Sequence, residues 1–160
     1  MKISFDFDAT LSRQVVQDIA KSLIQKGHDV YITTSRFENA DNYSFKTNND
    51  DLFEIAEKVG INKENIRFTN MADKYEILGD FDIHLDDDWV EINMINSRTK
   101  CIGISVFGNT TWKHKLNKII NGKYYSKKQT PDLNLRSFYF QLVAELINSP
   151  PKVISTPYYK

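Results

Sequence analysis

The chain predicts an α/β fold, a three-layer sandwich around a mostly parallel five-stranded sheet with a helical appendage at its C-terminal end, and three observations carry that expectation. Short apolar runs of β character recur along the first two thirds of the 160 residues. Amphipathic or glycine-stopped helical segments separate most of them, the pattern of βαβ crossovers. Several of the runs end in acids or hydroxyls, and in open α/β sheets ligands bind beyond the carboxyl ends of the strands, where strand order reverses.

The elements follow in order. "ISFDF" begins the chain with Ile3, Phe5 and Phe7 apolar and Ser4 small, a first strand ending at Asp6 and Asp8. Ser12 is placed to cap a helix from Arg13 to Lys26, with Val15, Val16, Ile19, Ala20, Leu23 and Ile24 on one face and Gly27 as its stop. "HDVYITT" reads as the second strand and "SRFENADNYSFKTNN" as an Asn-rich loop without period. A helix over Asp50 to Val59 stops at Gly60. "NIRFTN" is a third strand, "MADKYEIL" a short helix, "FDIHLDDD" a fourth strand and "KCIGISVF" a fifth. Beyond Gly108 the pattern weakens: "WKHKLNKII" reads as a basic amphipathic helix, "LRSFYFQLVAELI" as a final helix, and Pro150, Pro151 and Pro157 as marks of an extended tail. We divide the chain into a core over 1–108 and a basic appendage over 109–160, docked on the core.

Composition narrows the function classes. At 41% hydrophobic and 12% aromatic content the chain has the makings of a globular core rather than a disordered segment. No apolar run reaches the ~18 residues of a membrane span and the N-terminus carries no signal-peptide pattern, so a cytoplasmic protein without a membrane partner is expected. Cys101 is the only cysteine, which excludes an internal disulfide and a multi-cysteine zinc site. Its neighbours in "CIGISVF" mark it as a packed thiol rather than a nucleophile.

The net charge of zero conceals an asymmetry. Residues 1–91 hold 19 Asp and Glu against 10 Lys and Arg, whereas residues 92–160 hold 2 against 11. Six lysines and no acid lie between Lys113 and Lys128, interleaved with Trp112, Tyr124 and Tyr125. Two readings are open: a solvated face that offsets the acidic half, or a surface for an anionic partner such as a nucleic-acid strand.

The polar residues at the strand ends have a recognisable order. Asp-x-Asp-x-Thr in "DFDAT", Thr in "YITTSR", Lys in "ADKYEIL" and paired Asp in "IHLDDD" together resemble the four motifs of the haloacid dehalogenase superfamily of phosphohydrolases. The resemblance covers about residues 1–107 and implies a Rossmann-like core and magnesium as cofactor. It puts Asp6 in the place of the nucleophile and Asp8 in that of the general acid/base. Thr34, with Thr33 in reserve, and Lys74 take the phosphate-binding places. Asp86 and Asp87 are the acidic pair that holds the metal together with Asp6 and the main chain of Asp8. Two departures stand out. Ala9 replaces the glycine of many members, and a third acid, Asp88, leaves open which two of the run face the metal, although Asp88 is also placed to cap a helix at "WVEINMI".

Such residue types suit the chemistry. A phosphomonoester is anionic, so a carboxylate can attack it only where a metal and a cation neutralise both partners. Magnesium prefers oxygen ligands and is commonly held by one or two carboxylates plus a phosphate oxygen. An aspartyl-phosphate on Asp6 divides hydrolysis into two easier steps, and Asp8 can protonate the leaving oxygen and then activate water. His84, between apolar neighbours, reads as packed. Arg36 could touch substrate or anchor its loop.

Neither site at which family members carry a cap domain has room for one: four residues separate Asp8 from the first helix, and Asn70 to Asp73 are too short. The chain thus looks capless, with the loop from Phe37 to Asn49 as the nearest candidate lid and 112–128 as a candidate clamp. The expected partner is a nucleotide or the phosphorylated end of a nucleic acid. The alternatives are a small phosphorylated metabolite and a phosphate-binding module without turnover.

Overall fold

A computed structural model of the chain describes residues 1–39, 48–106, 108 and 111–122. Five strands, β1 (Lys2–Phe5), β2 (Asp29–Thr34), β3 (Ile66–Phe68), β4 (Ile83–Asp86) and β5 (Ile102–Ser105), form one sheet in the order β3-β2-β1-β4-β5, every pairing parallel. The order reverses between β1 and β4, so the crevice that open α/β sheets use for ligands falls at the ends of these two strands.

Alternation along the strands assigns residues to the two faces. Ile3 and Phe5 of β1, Val30 and Ile32 of β2, and Ile83 and Leu85 of β4 are buried in one cluster with Val16, Ala20 and Leu23 of α1 (Gln14–Gln25) and Leu52, Ala56 and Val59 of α2 (Asp50–Val59). On the opposite face α3 (Trp89–Arg98) packs on β4 and β5. Its Ile95 joins Leu78, Phe81 and Cys101, with Tyr31 of β2 against them. The expected three-layer sandwich is the observed one.

Helix boundaries show the local causes. α2 runs from Asp50 to Val59 as its periodicity predicts, and Gly60 ends it in the left-handed region at φ 92°, with its N–H on the carbonyls of Ala56 and Glu57. The first helix differs at its start. Ser12 belongs to the preceding turn, where its N–H bonds the Phe7 carbonyl, and α1 begins without a side-chain cap. The short helix expected at "MADKYEIL" is a single 3₁₀ turn, Lys74–Glu76. At Gly103, in β5, an added Cβ would meet the Asn96 side chain and the Ile92 carbonyl of α3 at 3.1 Å, so glycine sets the close approach of helix to strand.

Two compact units divide the chain, Met1–Tyr125 and Ser126–Lys160. Within the first, α4 (Trp112–Ile120) puts Trp112, Leu116 and Ile119 into the larger cluster. The helix grouped with the appendage on its charge is therefore part of the sheet domain's core. The final helix expected over 135–147 and the proline-marked tail lie outside the described residues. Among the described residues no helix is long and apolar enough to cross a membrane.

Candidate active site

The site forms where β1 and β4 end side by side. Phe5 pairs with Leu85, and the next residue along, Asp6, donates its N–H to the Leu85 carbonyl at 2.8 Å. Parallel pairing in this register brings Asp6 level with Asp86, the last residue of β4. After Asp6 the chain turns through Phe7–Leu11, with Asp8 extended and Ala9 in the left-handed region at φ 52°. The Leu11 N–H closes this turn on the Asp6 carbonyl at 3.0 Å. Glycine is the residue most at ease at such a φ, so alanine is held there at a small conformational cost.

Lys74 lies between the two carboxylates. Its ammonium donates to Asp6 Oδ1 and to Asp86 Oδ2, both at 2.7 Å, with the lysine side chain only 3% exposed. Asp86 has further donors. His84 Nε2 stands 3.0 Å from Oδ2, and the Asp88 N–H reaches Oδ1 at 2.9 Å. Asp87 is the third member: one carboxylate oxygen from each of Asp6, Asp86 and Asp87 lies within 4.8 Å of the others. Thr10, the hydroxyl that closes the first motif, donates to Asp87 Oδ1 at 3.3 Å. Asp88 turns away and caps α3 by accepting the Val90 N–H at 2.7 Å, as its place before "WVEINMI" predicts. Of the three successive acids, the cluster therefore contains Asp86 and Asp87.

The electrostatics follow from burial and from the unequal sharing of donors. Burial raises the Asp6 carboxyl from its usual 3.8 to about 7; Lys74 pulls it down, but the Asp86 charge adds to the rise. Burial also works to raise Asp86, but the bond from His84 and the charge of Lys74 overcome it, leaving that carboxyl at about 2. Burial disfavours the Lys74 ammonium as well, and Asp6 and Asp86 more than compensate, so it is held above its usual range. Burial lowers His84, which favours the neutral ring. The ring is then fixed as the tautomer that donates from Nε2 to Asp86, with Nδ1 among the buried atoms that have no hydrogen-bond partner. His84 is thus packed, as its apolar neighbours predict, and it also supports Asp86.

The other candidates occupy distinct places. Asp8 is not in the cluster through its side chain. That carboxylate is 60% exposed and accepts two bonds from Arg36. Thr33 and Thr34 point to opposite faces of β2. The Thr33 hydroxyl accepts from Ser4 at 2.6 Å inside the sheet layer, whereas the Thr34 hydroxyl accepts the Arg36 N–H at 3.3 Å. No hydrogen bond joins Thr34 to the acidic cluster among the described residues. Glu91, which sequence reasoning passed over, has its carboxyl pushed up by burial, with the charge of Lys74 working against the rise. Glu91 follows the acidic run by three residues on the first turn of a helix, a spacing that could have marked it.

The candidate clamp is changed by the fold. Trp112 is 5% exposed and packed in the core, so it offers no face for a base to stack on. Lys115 is half-buried and donates to the Gly103 carbonyl at 3.3 Å. Lys113 and Lys118 are exposed. Residues 123–128, with Tyr124 and Tyr125, and residues 40–47 of the candidate lid lie outside the described residues. No protein-family model matches the chain, and none of the curated proteins gives a significant match to it.

Proposed function

We propose that the chain is a magnesium-dependent phosphomonoester hydrolase of the haloacid dehalogenase type. The observation that carries this reading is the arrangement of Asp6, Lys74, Asp86 and Asp87 at the strand-order reversal between β1 and β4. Among the described residues three carboxylates gather there with one ammonium, which pairs with two of them, so acid outnumbers base, and the atoms the three acids offer are hard oxygens. Both features suit a small divalent cation. Asp6, Asp86 and Asp87 would hold it with their carboxylates and Asp8 with its main-chain carbonyl. The ion supplies charge neutralisation for the phosphoryl group and its nucleophile.

In the first step a carboxylate oxygen of Asp6 attacks phosphorus, the bond from phosphorus to the ester oxygen breaks, and Asp8 delivers a proton to the departing oxygen. In the second, water attacks the aspartyl-phosphate, the bond to Asp6 breaks, and Asp8 accepts a proton from the water. Lys74 keeps the Asp6 oxygen directed and offsets the charge that gathers on the transferring group. Thr34, at the end of the neighbouring strand, is the hydroxyl that can donate to a phosphoryl oxygen, because Thr33 is engaged by Ser4.

A nucleotide or a nucleic-acid phosphate end remains the leading substrate class, on the run of lysines. The burial of Trp112 and the tie from Lys115 to the core favour a small phosphorylated metabolite as the second reading. Phosphate release from metabolites, nucleotides and 3′- or 5′-phosphorylated oligonucleotides, with magnesium or with EDTA, tests both. The expected result is magnesium-dependent release from at least one class, lost in Asp6→Asn. Release from none, or release that survives Asp6→Asn, would overturn the reading.

A further inference from the structure

Arg36 follows β2 by two residues, and its guanidinium is engaged at two edges and one face. Nε and Nη2 donate to Asp8 Oδ2 and Oδ1 at 2.9 and 2.7 Å. Nη1 and Nη2 donate to Asp51 Oδ1 and Oδ2 at 2.6 and 2.9 Å. The plane lies over the Phe7 ring, 4.6 Å from its centre. Two bidentate pairs employ four of its five N–H groups, so no two-donor edge is left to grip a phosphate. Asp51 is itself fixed: it stands in the first turn of α2, and its Oδ1 also accepts the Leu52 N–H at 2.8 Å.

We propose that Asp51 and Arg36 form a strut that aims the Asp8 carboxylate, which makes both of them positioning residues for the acid–base group. The inference rests on the role given to Asp8 above. An exposed aspartate has several rotamers open to it, and only an external restraint selects one. Here the restraint is planar and holds both oxygens, so the direction of the carboxylate is set by an anchor on α2, outside the acidic cluster. With both oxygens accepting from Arg36, Asp8 is presented as an acceptor. That is the form needed in the second step, when water attacks phosphorus, the bond from phosphorus to Asp6 breaks and the proton passes from water to Asp8. The strut therefore serves breakdown of the aspartyl-phosphate more than its formation.

Asp51→Ala tests this, with Asp51→Glu as the conservative variant. Loss of the anchor should lower kcat by up to about 100-fold, the scale of a misdirected catalytic group, and should lower KM with it, so that kcat/KM falls much less than kcat because that ratio ends with departure of the leaving group. The acid-quenched fraction of protein phosphorylated on Asp6 should rise, and Asp51→Glu should restore wild-type turnover. An unchanged kcat, or a fall in kcat/KM without accumulation of phosphoprotein, would overturn the strut. Wild-type protein without turnover on any phosphomonoester would defeat the reading of function instead. The strut is then read directly from the Arg36 Nε–H resonance in ¹⁵N NMR, which should exchange slowly in wild type and quickly in both Asp8→Asn and Asp51→Ala. Equal exchange in wild type and Asp51→Ala refutes it whatever the activity.

Discussion

Replacing Asp6 with asparagine should abolish turnover and yet stabilise the metal-free protein. Asparagine keeps an oxygen for Lys74 and removes the charge that burial opposes. The Asp6 carboxyl is raised from 3.8 to about 7 in the folded chain, and each unit of such a shift corresponds to about 1.36 kcal/mol. A carboxyl with a raised folded pKa binds its proton more tightly when folded, so its ionisation costs stability as pH rises from about 4 to 7, and the cost is constant above that. At pH 8 wild type should carry a penalty of about 4 kcal/mol relative to Asp6→Asn. At pH 5, where the folded carboxyl is protonated but the unfolded one is not, the gap should shrink to less than half of that. Urea unfolding of both proteins in EDTA at the two pH values gives the comparison directly. Saturating magnesium should reverse the order at pH 8, because only wild type keeps the full ligand set and a ligand of the folded state adds stability. If Asp6→Asn is the less stable protein at pH 8 in EDTA, or if the gap does not narrow at pH 5, the electrostatic account of the cluster is wrong.

Three further outcomes follow from the same geometry. Lys74→Ala should cost about 3–5 kcal/mol at pH 8 by leaving two buried carboxylates without their cation, with part of the loss recovered in magnesium, as denaturant unfolding would report. Trp112→Ala should cost about 3–5 kcal/mol through an emptied core site while leaving the salt dependence of any activity on oligonucleotides unchanged; a flatter salt response in a protein of undiminished stability would return Trp112 to the role of a stacking ring. Cys101, buried with its thiol pushed up to about 12, should react with iodoacetamide at pH 8 only through unfolding, so that its modification rate falls when magnesium is added; a rate equal to that of a free thiol would contradict its burial.

The fold was legible because it rests on local patterns. Parallel strands buried on both faces read as short apolar runs, and α2 and α4 have the bounds their periodicity predicts. Asp6 and Asp86 were legible as a pair because acids at the ends of buried strands need a partner, and parallel register places them side by side. What escaped the sequence depends on contacts far along the chain. Nothing local to Arg36 says that its two edges are taken by Asp8 and Asp51, 28 positions before it and 15 after it. The choice between Asp87 and Asp88 turned on which of them faces Thr10 and which the start of α3. The place of Trp112 stayed open because a ring among lysines suits a binding surface as well as the buried stripe of an amphipathic helix; only the packing of α4 on the sheet decides it. Lys74 was singled out by its motif, but its position between two acids, and hence its part in holding Asp6, is a property of the closed structure.

The most direct test of the central claim is to stop the reaction in acid during turnover with magnesium and map the phosphorylated peptide. The account predicts one phosphoryl group per chain, carried on Asp6, labile to hydroxylamine and absent from Asp6→Asn. Turnover without that adduct, or a phosphoryl group on any other side chain, would contradict it.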